Sequence, residues 1–158
     1  MSDTAESFSM RIEGTTALCP VGEATGKRMM AEGRIPVISC EGGCIRGEIA
    51  RLAANMVAKA DPYRRGCHGE IFSAPHSAMA KWAAKADRVV VIDGCFMSCH
   101  GRMIKSLVAP DKLRVFDALG FYNKYTDVMD MDDVPEADRR QAAREVADAV
   151  LAALAEEA

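Results

Sequence analysis

The run Val89-Val90-Val91-Ile92 restricts the fold of this chain more than any other segment. Four consecutive β-branched residues with no polar alternation do not suit a half-exposed strand. They suit a strand buried on both faces, as found in parallel sheets covered by helices. Two more short apolar runs have this character, Ile35-Pro36-Val37-Ile38 and Leu113-Arg114-Val115-Phe116. Between the runs the period changes. Ile45, Ile49, Leu52, Ala53, Met56 and Val57 recur at the three- and four-residue steps of an amphipathic helix. A second helix is expected to open at Ser73 or Pro75 and run through Met79, Trp82 and Ala83. Phe96–Val108 suits a third, stopped by Pro110. Asp133-Val134-Pro135-Glu136 has capping-box spacing before a last helix striped by Val146, Val150, Leu151 and Leu154. A further short strand is expected before Cys67 or at Glu70–Ser73.

Strands alternating with helices imply right-handed crossovers. The expected fold is therefore α/β, a three-layer Rossmann-like arrangement with a mostly parallel sheet of about four strands. Met1–Gly33 shows no sustained period and reads as an irregular arm with a short helix around Glu23–Glu32. Residues 34–158 then form a single α/β metal-binding domain. With 49% hydrophobic and 27% charged residues, the composition excludes a disordered or collagen-like chain. The longest purely apolar run, Ala149–Ala155, is far short of the roughly 20 residues that span a bilayer. A net charge of −3 offers no long-range attraction to nucleic acid. MSDTAESFSM has no basic segment followed by an apolar stretch, so the expectation is a cytoplasmic protein without a secretory signal, its thiols reduced.

Six cysteines, Cys19, Cys40, Cys44, Cys67, Cys95 and Cys99, are then metal ligands, catalytic groups or small buried hydrophobes. In a parallel sheet, ligands sit outside the carboxyl ends of the strands. Cys40 and Cys95 follow strand runs, Cys67 is expected to do so, and Cys44 and Cys99 lie four residues beyond the first two. Helix entrances there lower a thiol's pKa, and clustered thiolates select zinc, copper(I) or Fe–S clusters. Cys19, outside this pattern and ahead of Pro20, reads as a buried small residue rather than a principal ligand. His68 and His100, adjacent to Cys67 and Cys99, are substitute ligands or proton carriers in one reading and polar surface groups in the other. His76 reads as surface.

Asp93-Gly94-Cys95, directly after the Arg88–Ile92 strand and followed by Cys99, resembles the signature of the DGC-domain family. Cys40-Glu41-Gly42-Gly43 with Gly47, the third cysteine Cys67, and Phe116-Asp117 with Gly120 and Lys124 extend the resemblance over about Ile35–Lys124. It implies a zinc-binding protein whose biochemical activity is unknown, with Cys40, Cys67, Cys95 and Cys99 as metal ligands. Around Cys67 the setting is more polar than the family pattern, and Cys44 is an extra thiol that competes for a place in the site. Four thiolates on zinc carry a net charge of −2, for which helix entrances and Arg46, Arg102 and Lys105 are the candidate counterweights.

Three other readings use the same residues. Cys40-Glu41-Gly42-Gly43-Cys44-Ile45-Arg46 is a Cys-x5-Arg stretch and resembles the anion loop of low-molecular-weight tyrosine phosphatases and arsenate reductases. Cys40 would be the nucleophile and Arg46 the oxyanion clamp. Against it, Gly47 replaces the expected Ser or Thr, and no late Asp-Pro general acid follows. The four cysteines would equally ligate an Fe–S cluster of a redox protein. Thiol–disulfide exchange is disfavoured, because Cys-x3-Cys lacks the two-residue spacing of dithiol redox motifs. Whether the chain is an enzyme stays open.

Overall fold

The three apolar runs are neighbouring strands of one parallel sheet. A computed structural model describes residues 5–158. Its strands are β1 (Ile35–Ser39), β2 (Tyr63–Arg65), β3 (Val89–Asp93) and β4 (Leu113–Asp117), in spatial order β2-β1-β3-β4. All pairings are parallel, with Val37 opposite Val90 and Val90 opposite Arg114. The helices are α1 (Pro20–Ala31), α2 (Ile45–Val57), α3 (His68–Ser73), α4 (Ala78–Lys85), α5 (Cys99–Ile104), α6 (Leu119–Tyr122) and α7 (Glu136–Glu156).

Side chains alternate across the central strands and define two cores. Val37, Val90 and Ile92 pack under α2, α6 and α7; Ile38, Val89 and Val91 pack under α1, α3, α4 and α5. All five residues of β3 are buried, as its unbroken apolar run requires. Each fully buried Val or Ile contributes about 1.5–3 kcal/mol, so β3 anchors both layers. The result is the expected three-layer Rossmann-like fold.

Several boundaries differ from the sequence reading. The Phe96–Val108 helix shortens to α5, because residues 94–98 form a loop in which Ser98 is left-handed (φ 47°). Glu70–Ser73 is helical, and the strand beside it is Tyr63–Arg65. α4 opens at Ala78, where the Ser77 hydroxyl accepts the Ala80 amide at 3.1 Å. The expected capping box before α7 does not form. Pro135 takes the cap position and offers no side-chain bond.

Residues 1–4 of the arm lie outside the described residues, and 5–19 form no helix or strand. From Pro20 the segment is the twelve-residue α1, with proline in its first turn where a missing N–H is harmless. Gly26 lets α1 meet α4 closely, since a Cβ there would stand 2.5 Å from the Ala78 backbone. Glu23 accepts the Ala78 amide at 2.6 Å, tying the two helices. Cys19 is exposed rather than buried; its sulfur accepts the Gly22 amide at 3.4 Å and caps α1.

From β1 the chain crosses through α2 to β2 on one side, whereas β3 lies on the other side of β1. The crevice between the carboxyl ends of β1 and β3 is thus a switch point, where such sheets bind ligands.

Candidate metal centre

Cys40 leaves β1 at this crevice, its amide still donating to Ile92 of β3 at 2.9 Å. Asp93 ends β3 beside it and is 1% exposed. A buried carboxylate needs donors, and Asp93 has three: the Ser98 hydroxyl (3.0 Å), the His100 amide (3.1 Å) and the Gly101 amide (2.8 Å). These bonds seat the first turn of α5 on the strand end. Gly101 makes the approach feasible, because a Cβ there would stand 2.8 Å from both the Asp93 carboxylate and Val115.

The turn brings His100 over Cys40. One sulfur, one carboxylate oxygen and one imidazole nitrogen from Cys40, Asp93 and His100 all lie within 4.8 Å of one another, the one such metal-competent group among the described residues. His100 Nδ1 is buried without a hydrogen-bond partner, and at 3.9 Å the Asp93 carboxylate is too far to accept from it. The His68 ring stands edge-on to His100 at 5.2 Å between centroids, and Phe72 closes the wall at 6.0 Å.

Burial dominates the electrostatics. It pushes the Cys40 thiol up, against hydrogen bonds from the Gly42 and Gly94 amides that favour thiolate. Burial also pushes His100 down, helped by His68 and opposed by Asp93 and Glu41. Without a metal the pair therefore stays neutral, a thiol facing an imidazole with a free lone pair. A divalent ion would displace the thiol proton and use that lone pair.

The other expected ligands ring this group. Cys99 opens α5 and is exposed, near enough to Cys40 for its charge to act on that thiol. Cys67 caps α3, exposed, beside Arg65. Cys95 is half-buried in the loop after β3, and half-buried Cys44 stands at the start of α2. No three of Cys40, Cys67, Cys95 and Cys99 bring their sulfurs within 4.8 Å of one another. Asp93 entered the sequence analysis only within a family signature; its signal was an acid closing a run of buried β-branched residues.

The expected counter-charges are arranged otherwise. Arg46 donates to the Thr126 carbonyl and Arg102 to the Met97 carbonyl. Arg65, two residues before Cys67, donates to the Val37 carbonyl and to Glu41, each at 3.1 Å. The Cys-x5-Arg loop also lacks what a phosphatase needs. Its arginine is engaged elsewhere, and its thiol is raised rather than lowered. At Gly47, where a serine or threonine would assist, any Cβ would collide with the Gly42 backbone.

No helix among the described residues is long and apolar enough to cross a membrane. Neither the curated proteins nor the solved structures contain a match to the chain. The family model described as the DGC domain matches residues 36–149, from β1 to the middle of α7. That span takes in the sheet, the Asp93-Gly94-Cys95 turn and every residue of the metal-competent group, and on it the chain belongs to the DGC domain family.

Proposed function

We propose that this protein binds one zinc ion at the carboxyl edge of its sheet, through thiolates drawn from Cys40, Cys67, Cys95 and Cys99. The observation that carries the proposal is the Cys40–Asp93–His100 group at the switch point, with a buried imidazole nitrogen that has no protein partner. Thiolate and imidazole donors fit zinc, whereas magnesium and calcium take oxygen. Bound there, the ion would tie the ends of β1 and β3 to α3 and α5. A closed shell of four protein ligands makes it structural; three leave one position for chemistry. Free thiols at all six cysteines fit a reducing compartment, the cytoplasm.

Metal analysis of the purified protein with its absorption spectrum is the test. One zinc per chain and no visible band are expected, with zinc lost in Cys40→Ser. Iron with a visible band would replace zinc by an Fe–S cluster on the same thiols, and absence of any metal would end the proposal.

A further inference from the structure

The zinc reading above leaves its ligand set to be decided, and the geometry points to His100 Nδ1 as a metal ligand in the place expected of Cys95. Four observations converge on it. First, Nδ1 is buried and has no partner, and a ring nitrogen of His100 lies within 4.8 Å of the Cys40 sulfur. Around tetrahedral zinc, bond lengths near 2.3 Å to sulfur and 2.0–2.1 Å to nitrogen separate two such donors by about 3.6 Å.

Second, the imidazole is positioned in advance. Asp93 grips the His100 and Gly101 amides, and the absence of a Cβ at Gly101 lets the turn sit against the strand end. The carboxylate already accepts three hydrogen bonds, so Asp93 is a positioning residue in this site. Third, the rings of His68 and Phe72 wall His100 and shield its nitrogen from water.

Fourth, the wall around His100 is built beside two other cysteines, since His100 meets the rings of His68 and Phe72. Cys99 and Cys67 flank the His100 side: Cys99 is its chain neighbour and Cys67 is the neighbour of His68. The resulting set is three thiolates, Cys40, Cys67 and Cys99, with one imidazole. With Nδ1 on the metal, the ring proton resides on Nε2.

Cobalt(II) titration of the full chain counts thiolates through the sulfur-to-metal charge-transfer band, and competition with a chromophoric chelator gives zinc affinity. His100→Ala should weaken zinc binding about tenfold or more and move the cobalt d–d bands. Cys95→Ser should leave both the affinity and the charge-transfer intensity at wild-type values. His100→Cys should bind metal again and add the intensity of one thiolate. Trp82 fluorescence checks that each variant is folded. Wild-type binding and spectrum in His100→Ala, or loss of one thiolate's intensity in Cys95→Ser, overturns the imidazole assignment while zinc binding stands. A wild-type chain that takes up neither cobalt nor zinc overturns both.

Discussion

Removing the Asp93 carboxylate tests whether the strand end holds α5 as described. Asp93→Ala strands two backbone amides, those of His100 and Gly101, in a largely buried turn; the half-buried Ser98 hydroxyl can rotate to water. An unsatisfied buried donor costs about 1–3 kcal/mol, so two cost about 4 kcal/mol. That is a large share of the roughly 5–15 kcal/mol stabilising a typical domain. Asp93→Asn keeps one acceptor oxygen, which can serve Ser98 and Gly101, and strands a single amide at about 1–3 kcal/mol. Urea unfolding of chelator-treated protein, followed by the fluorescence of the lone, buried Trp82, separates this effect from metal binding. At this chain length each kcal/mol lowers Tm by about 2–4 °C, so the alanine variant should melt about 8–16 °C lower. An alanine variant within about 1 kcal/mol of wild type, or an asparagine variant equally damaged, would refute this account of the turn.

The Tyr122 hydroxyl is buried without a partner, and burial pushes its pKa up to about 12. Below pH 10 its contribution to stability is fully present; between pH 10 and 12 the unfolded chain loses the proton first, so stability should fall by about 2–3 kcal/mol. That loss should be missing in Tyr122→Phe, whose neutral-pH stability should equal or exceed wild type in a thermal melt. Gly47→Ala should lower stability by about 1–3 kcal/mol, because its methyl group meets the Gly42 backbone. In metal-free protein at neutral pH, iodoacetamide should modify half-buried Cys40 more slowly than exposed Cys19 or Cys99, as mass spectrometry of digests would show. A phosphatase nucleophile would be modified fastest, and that result would revive the Cys-x5-Arg reading.

The sheet was legible because burial on two faces leaves a mark that needs no context, as in Val89–Ile92. Its three main strands followed from apolar runs; their spatial order, with β2 outside β1, did not. Helix ends were less legible. α5 begins late because of bonds to Asp93 and a left-handed Ser98, both set by a strand five residues upstream rather than by local propensity. α1 was legible only as a short helix around Glu23–Glu32, because its face packs on α4, about 50 residues away, and its own stripe is weak. For the site, strand-end position singled out Cys40 and adjacency singled out His100. Which side of the sheet Cys95 takes depends on a loop path that spacing does not encode.

The switch point has a consequence for the order in which this protein matures. Cys40 and His100 are 60 residues apart, and β2, which follows β1 in the chain, sits on the far side from β3. A nascent chain that has released β1, α2 and β2 possesses neither the carboxylate nor the imidazole of the site. Of the proposed ligands only Cys40 and Cys67 precede β3, so a zinc site would be completed only once β3 and α5 have joined the sheet. A zinc ion bound at the completed site would act as a latch, cross-linking a long loop that folding has by then closed.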